Sequence, residues 1–428
     1  MRMGLILLGE DLLLRLLMGL DVWSILKVSA LNRYFNNLAF TQQVWLAIVR
    51  NLGEQGLVDL PTEAVLGTLT PKDVIEEIKR VVIGPQTWHD CSYPKSVRDH
   101  VLDLTFVPRA SGLMPGGRYI YASDHQQFHL FKLDATQSVW SWKVPSLMQL
   151  VGLSSRASAF PSPINSDRGF HLFAIQVDMD LGNSSEVLHF YTAAMDVSPV
   201  AVWQSYLVYH TSIGFLFLNW VRKEFVFLEE TPHAFSSYAF SSGYLFHLGS
   251  PDRLCLHFIT SFDGLWRPLD EFDQRITQSI QDLPGTLIWH LPESNDVKTS
   301  VLGIQGNPLH PDSFVVVLSQ PTTHENIVSR YEINLVVEKL ARLLTRVAYP
   351  PALQISDAGY CIRPTQTAIV VFHPSRTKKK WLFYRKPAET TICKTTPQLV
   401  SATLSASGAV TICTKSGAGS QLNVKIYK

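Results

Sequence analysis

Residues 8–45 read LGEDLLLRLLMGLDVWSILKVSALNRYFNNLAFTQQVW, and this stretch decides how the N-terminal part of the chain folds. Its leucines follow the i, i+3, i+4, i+7 spacing of one helix face: Leu13, Leu16, Leu17 and Leu20. Further leucines and a methionine flank that face, so that nearly the whole circumference of the helix is apolar. The pattern predicts a helix that must be covered on two sides.

Three more helices are predicted in the same region. Ser24 is the expected N-cap of a second, short helix, a third is expected over residues 31–39, and a fourth starts near Thr41. A unit of about forty residues is rarely stable without disulfide bonds, a bound metal or a partner. No cysteine precedes Cys91, which excludes a disulfide bond within this unit. We therefore expect a partner, or the rest of the chain, to cover the surplus leucine.

This stretch resembles the F-box, the adaptor-docking module of Skp–cullin–F-box ubiquitin ligases. An F-box opens with Leu-Pro and an acidic residue, and an apolar helix, a Leu-Asp turn, a Leu-x-x-Val helix, an Arg-bearing helix and a Trp follow. The matching segments are Leu8-Gly9-Glu10, Leu20-Asp21, Ile25-Leu26-Lys27-Val28, Arg33-Tyr34-Phe35 and Trp45. Residues 32–46 and the segment GPQTW at 84–88 are also similar to the F-box proteins expanded in mushroom-forming fungi.

The resemblance implies a binding face for a Skp-type adaptor. By position, this face comprises Leu8, Gly9, Leu12, Leu16, Leu20, Ile25, Leu26, Val28 and Trp45. Gly9 stands where the family usually has proline; it loosens the entry to the helix, which bears on adaptor affinity. The alternative that residues alone leave open is an ordinary helical subdomain packed on a larger core.

Length and composition limit the function classes. The 428 residues are enough for two or three domains. The net charge of +1 creates no field that would attract nucleic acid or an anionic membrane. No apolar run has the length of a signal peptide core or a membrane span, and the five cysteines form no CxxC pair. These features predict an intracellular protein of the cytoplasm or nucleus, with neither nucleic acid nor membrane as partner.

The chain is predicted to have three parts: a helical module over residues 1–52, a helical connector over 53–98 and a β domain over 99–428. In the connector, Thr70-Pro71 marks a helix start and Gly84-Pro85 a helix stop. The connector is either a rigid spacer or an independent helical hairpin.

The β domain is predicted from short runs of β-branched and aromatic residues that turn residues separate. Anchor strands at residues 119, 170, 215, 254, 314, 369 and 410 are 39 to 60 residues apart, whereas propeller blades span about 40 to 50 residues. The fold class is therefore multidomain: an all-α F-box-like module plus a large all-β domain, expected to be a degenerate seven-bladed β-propeller. A pair of packed sheets is the second choice, and helical interruptions are expected near 269–280 and 336–345.

No sequence motif points to catalysis. The chain has no HExxH, P-loop, GxGxxG or GxSxG motif, and His125 with His129 lacks a third metal ligand. We expect no catalytic residue, cofactor or metal. The predicted function is substrate recognition in a Skp–cullin–F-box ligase, with the adaptor and cullin complex and an unknown protein substrate as partners. A scaffold that no longer binds the adaptor and an enzyme with a propeller active site are the alternatives.

Overall fold

The computed structural model describes most of the chain between residues 9 and 427. The described ranges are 9–54, 58, 66–83, 85, 87–90, 94–114, 117–124, 127–133, 135, 137–143, 152–153, 158–166, 169–177, 184–192, 197–211, 213–229, 238–250, 253–272, 278–280, 283, 287–290, 300–307, 309–321, 325–336, 341–349, 354–355, 361–365, 368–374, 387–394, 398–405 and 408–427.

The N-terminal region is helical, as its apolar spacing predicts. The helices are α1 (Glu10–Met18), α2 (Val22–Ser29), α3 (Arg33–Ala39), α4 (Gln42–Glu54), α5 (Pro71–Ile83) and α6 (Thr87–Asp90). The predicted cap of the connector helix α5 is confirmed: the Asp73 backbone N–H donates to Thr70 Oγ1, and the Thr70 N–H donates to Asp73 Oδ2. None of the described helices has the length and apolarity that crossing a membrane requires.

Antiparallel strands make up the rest of the chain. The strands are β1 (Arg98–Leu104), β2 (Ala110–Leu113), β3 (Tyr119–Ser123), β4 (Gln127–Lys132), β5 (Ser138–Lys143), β6 (Gly152–Leu153), β7 (Ser158–Ser166), β8 (Gly169–Val177), β9 (Ser184–Thr192), β10 (Val197–Trp203), β11 (Tyr206–Thr211), β12 (Gly214–Asn219), β13 (Glu224–Glu229), β14 (Tyr238–Ser241), β15 (Tyr244–Ser250), β16 (Arg253–Phe258), β17 (Arg267–Pro268), β18 (Gln278–Ser279), β19 (Leu287–His290), β20 (Ser300–Asn307), β21 (His310–Pro321), β22 (Asn326–Asn334), β23 (Arg342–Tyr349), β24 (Gln354–Ile355), β25 (Cys361–Pro364), β26 (Ala368–Pro374), β27 (Pro387–Lys394), β28 (Leu399–Leu404), β29 (Val410–Ser416) and β30 (Gly419–Ile426).

The strands form a β-propeller. Six sheets follow one another along the chain: β2–β5, β6–β9, β10–β13 with β17 and β18, β14–β16 with β19, β20–β23 and β24–β27. A further sheet, the closing sheet, has the order β1-β30-β29-β28 and joins the first strand of the domain to its last three. Edge strands of neighbouring sheets are in contact: β6 with β10, β10 with β14, and β28 with β2. This arrangement confirms the predicted β-propeller and excludes the pair of packed sheets.

Apolar side chains fill the space between neighbouring sheets. Every residue of β12 is buried, because a strand with a sheet on either side has no face for water. One apolar cluster joins the sheet of β14–β16 to the sheet of β20–β23, through Leu254, Phe246 and Phe314 among others. Packing between neighbouring sheets therefore supplies the core of the domain.

Two local predictions are wrong. Asp21, rather than Ser24, is the N-cap of α2, and Ser24 supplies the backbone N–H that Asp21 accepts. The helical interruption expected near 336–345 overlaps β23, which pairs with β22 from Arg342 onward, so strand pairing overrides the local helical pattern. Near 269–280, the described helical residues are the single 3₁₀ turn Leu269–Glu271 and the strand β18 follows.

Candidate interaction surface on the N-terminal helices

Helix α1 has apolar side chains on both faces, and only one face is covered. Leu13 and Leu17 are 3% and 5% exposed and lie in the core of the helical module. Leu12 and Leu16, one residue earlier in each case, are 52% and 54% exposed. A step of one residue rotates a side chain by about 100° around a helix. The second leucine row therefore projects away from the core into solvent.

Helix α2 continues the same division. Val22 and Ile25 are buried, whereas Trp23 and Leu26 are exposed. The helix start is fixed by Asp21, which accepts hydrogen bonds from the Ser24 backbone N–H at 2.9 Å and the Ser24 hydroxyl at 2.6 Å. Partial burial raises the pKa of Asp21, but these hydrogen bonds outweigh it and hold the pKa below its usual value. A charged cap therefore fixes the start of the helix that carries Trp23.

The large apolar side chains that are exposed on α1, α2 and α3 and in the turns that follow these helices are named together the helical patch. Its members are Leu12, Leu16, Met18, Leu20, Trp23, Leu26, Leu31, Tyr34 and Phe40. Scattered exposed apolar residues are ordinary, but a concentration of large ones marks an interaction surface. The helical patch is therefore the candidate functional site.

The residues that the resemblance assigns to adaptor binding fall into three groups. Leu12, Leu16, Leu20 and Leu26 lie in the helical patch, and Gly9 is exposed at the start of α1. Val28 is partly buried against the module core. Ile25 and Trp45 are buried there, which leaves them no surface for a partner in this conformation, and Leu8 lies outside the described residues.

Five members of the helical patch are absent from the predicted face: Met18, Trp23, Leu31, Tyr34 and Phe40. Helical spacing could have found Trp23. It precedes Leu26 by three residues and so shares the helix face of Leu26, whereas it precedes Ile25 by two and so points away from Ile25. Phe40 stacks on Trp45 with ring centroids 5.9 Å apart. The aromatic side chain that reaches the surface at this place is Phe40, with Trp45 beneath it.

The propeller holds the helical module from one side. The turn between β20 and β21 carries Leu309, whose side chain packs against the module core and whose carbonyl accepts a hydrogen bond from the Trp23 N–H at 3.3 Å. Asn307 shapes this turn by accepting from the Leu309 N–H at 3.0 Å. The patch residues nevertheless remain exposed, so this contact covers the inner face of the module and leaves the outer one uncovered.

The connector is built into the propeller. Trp88 of α6 is buried among residues of two neighbouring sheets, including Ile369 and Ile412, and its carbonyl accepts a hydrogen bond from the Thr390 hydroxyl. Gly408 has φ +87°, and a Cβ there would lie 2.6 Å from Pro85 Cγ. Glycine is therefore required where connector and closing sheet meet.

The end of α5 is joined to the closing sheet by charged groups. Arg80 Nη1 donates to the carbonyl of Tyr427 at 3.3 Å, and Arg80 also pairs with Glu77 at 2.7 Å. Glu77 in turn pairs with Arg98 of β1 at 3.5 Å. These contacts join the end of α5 to the propeller, and the choice between a rigid spacer and an independent helical hairpin stays a prediction.

A buried histidine pair lies in the propeller, and sequence reasoning missed it. His247 Nε2 and His257 Nε2 are 2.9 Å apart across β15 and β16. Burial lowers the pKa of His247 to about 4; burial and the neighbouring imidazole lower the pKa of His257 to about 3. One neutral ring must donate and the other accept, so the pair is uncharged at neutral pH.

Within the part of the chain that the structure describes, no three side chains from His, Cys, Asp or Glu lie close enough together to hold a metal ion. His129 contacts Gln127 Oε1 at 3.1 Å, and His125 lies outside the described residues.

Comparison with known proteins gives remote structural likenesses. No family model and no curated protein matches the chain. The WD40 domain of SCAP from fission yeast is similar at 11% identity and TM-score 0.36, over 75% of this chain and 84% of that one. Hsv2p of Kluyveromyces lactis is similar at 9% identity and TM-score 0.39, over 71% and 88%. An oligogalacturonate lyase in complex with manganese is similar at 10% identity and TM-score 0.31, over 75% and 78%.

Proposed function

We propose that the protein is the substrate-recognition subunit of a Skp–cullin–F-box ubiquitin ligase in the cytoplasm or nucleus. The helical patch binds a Skp-type adaptor, which links the chain to the cullin complex. The propeller binds the protein substrate, and other subunits transfer the ubiquitin. We also propose that the closing sheet is a blade equivalent to the other six, which gives a seven-bladed ring.

The exposure of the second leucine row carries this proposal. The module already has its own core, from Leu13 through Ile78, so that Leu12 and Leu16 are surplus to folding. Burial of apolar surface is worth about 25 cal/mol per Å² before the costs of association are subtracted. A partner that covers the whole helical patch therefore gains affinity from side chains that contribute little to the fold.

The test is a binding measurement with recombinant Skp-type adaptor and the full chain. The double variant Leu12→Asp, Leu16→Asp should lose binding, because two carboxylates would be buried without partners. The matched control is Val221→Asp, Val336→Asp, which alters two apolar residues of the propeller that are 70% and 74% exposed and should bind like the wild type. Absence of wild-type binding at micromolar adaptor concentration would overturn the proposal.

A scaffold that has lost the adaptor is the second candidate, and Gly9 is the observation that favours it. Gly9 has φ −59°, which suits proline, and a Cβ added there meets nothing within 4 Å. Gly9→Pro should therefore fold normally. If the wild type fails to bind the adaptor and Gly9→Pro binds it, the scaffold is correct; equal binding by both forms rules the scaffold out.

A further inference from the structure

The helices that carry the helical patch also carry three exposed cations. Arg15 of α1, Lys27 of α2 and Arg33 of α3 are all exposed. Lys27 Nζ lies 5.4 Å from the centroid of the Trp23 ring, at the patch itself. Within the described residues, none of the three cations forms an ion pair. Their charges therefore remain available to a partner.

The acidic groups of the same helices have local roles. Glu10 and Asp11 occupy the first turn of α1, where negative charge is favourable to the helix dipole. Asp21 is committed to capping α2 through Ser24. Arg15 and Lys27 lie in the last turns of α1 and α2, where positive charge is favourable to the helix dipole, and both are next to exposed leucines in the sequence.

We propose that the partner covering the helical patch presents an apolar centre with an acidic border, and that Arg15, Lys27 and Arg33 attract that border. This inference rests on the proposed function and specifies the chemistry of the adaptor surface. A protein partner is favoured over an anionic bilayer, because the net charge of +1 gives the chain no general attraction to a negatively charged membrane.

Charges at the edge of an interface act mainly on encounter. They raise the association rate constant and its dependence on salt, whereas the buried apolar centre controls dissociation. Screening shortens the reach of these charges to about 10 Å at 0.1 M salt. The three cations should therefore affect the association rate at low salt and have little effect at high salt.

The experiment measures association of the full chain with recombinant Skp-type adaptor at two ionic strengths. For the wild type, the association rate constant should fall about tenfold between roughly 50 mM and 500 mM salt. The triple variant Arg15→Gln, Lys27→Gln, Arg33→Gln should associate slowly at both, with its dissociation rate changed by less than about twofold. The matched control Arg222→Gln, Arg267→Gln, Lys415→Gln removes three exposed cations of the propeller and should behave like the wild type.

The outcomes separate this inference from the proposed function. If the adaptor binds and its association is unaffected by salt and by the triple variant, the inference is wrong and the proposed function stands. If the adaptor does not bind at all, both fail. A parallel arm uses vesicles of phosphatidylcholine with phosphatidylserine, and wild-type binding to these that the triple variant loses would show that the cations serve a membrane, which also overturns the inference.

Discussion

The helical module and the propeller place their apolar side chains in opposite ways. In the propeller, all six residues of β12 are buried, because a neighbouring sheet covers each face. In α1, Leu13 and Leu17 are buried while Leu12 and Leu16 face solvent. The propeller thus uses its apolar surface for its own stability, whereas the module keeps a second apolar face uncovered.

This difference makes folding and binding separable in the module. A substitution on the inner face should destabilise the module, and one on the outer face should weaken binding alone. In the propeller no such division exists for the buried strands, since their apolar residues serve packing on both sides. Substitutions in the connector test whether its apolar residues serve the fold, as in the propeller, or a separate binding face, as in the module.

The largest effect is expected at Trp88, which lies in the connector but packs as a propeller residue. Trp88→Ala should lower the free energy of unfolding by about 3–5 kcal/mol, because a cavity replaces the ring between two sheets. Trp23→Ala, on the exposed face, should cost about 1 kcal/mol or less. Urea denaturation followed by far-UV circular dichroism measures both. Similar costs for the two variants would contradict the comparison.

The sequence predicted local structure better than it predicted which faces are covered. The helices, the cap at Thr70 and the β-rich domain follow from apolar spacing and turn residues. The burial of Ile25 and Trp45 does not, because it depends on how α1, α2, α3 and α4 pack together. Position within a motif assigned these residues to a binding surface, whereas tertiary packing decides their exposure.

The sequence also failed to predict the contacts between residues that are far apart in the chain. Trp88 is separated from Thr390 by 302 positions, and no local pattern indicates that the connector enters the propeller core. The pairing of β1 with β30 likewise joins the start of the domain to its end. The histidine pair escaped because His247 and His257 have no motif spacing, and only the register of β15 and β16 brings them together.

Acid should destabilise the propeller through the histidine pair. The pKa of His247 is about 4 in the folded protein, against about 6.5 in an unfolded chain. The unfolded state therefore binds more protons once the pH falls below about 6.5, and His247 alone should remove about 3 kcal/mol of unfolding free energy by pH 4. His257, with a pKa of about 3, shifts stability in the same direction. Stability from the pair is complete above about pH 6.5.

Denaturation between pH 4 and pH 7 checks this, with a double variant as the comparison. His247→Gln, His257→Gln keeps a hydrogen-bonding pair of similar size and should flatten the pH dependence. The exposed His290 provides the matched control, since His290→Gln should leave the slope as in the wild type. An unchanged slope in the double variant would show that other groups cause the acid sensitivity.

Neighbouring leucines of α1 test the separation of folding from binding most directly. Leu17→Ala should lower the free energy of unfolding by about 2–4 kcal/mol, since Leu17 is buried in the module core. Leu16→Ala should change it by less than about 0.5 kcal/mol while weakening partner binding. The two variants have the same chemistry and differ only in which face they alter. Equal destabilisation would mean that Leu16 also belongs to the core.

The smallest effect is expected at the cap of α2. Asp21→Ala removes the oxygens that accept from the Ser24 N–H and hydroxyl and should cost about 1 kcal/mol. Asp21→Asn keeps an acceptor and should lower the free energy of unfolding by only about a few tenths of a kcal/mol, because the negative charge at the helix start is lost. Because Trp23 and Leu26 project from this helix, Asp21→Ala should also weaken binding more than its stability cost explains. If binding and stability fall in proportion, α2 supports the fold and the orientation of its exposed face does not matter to the partner.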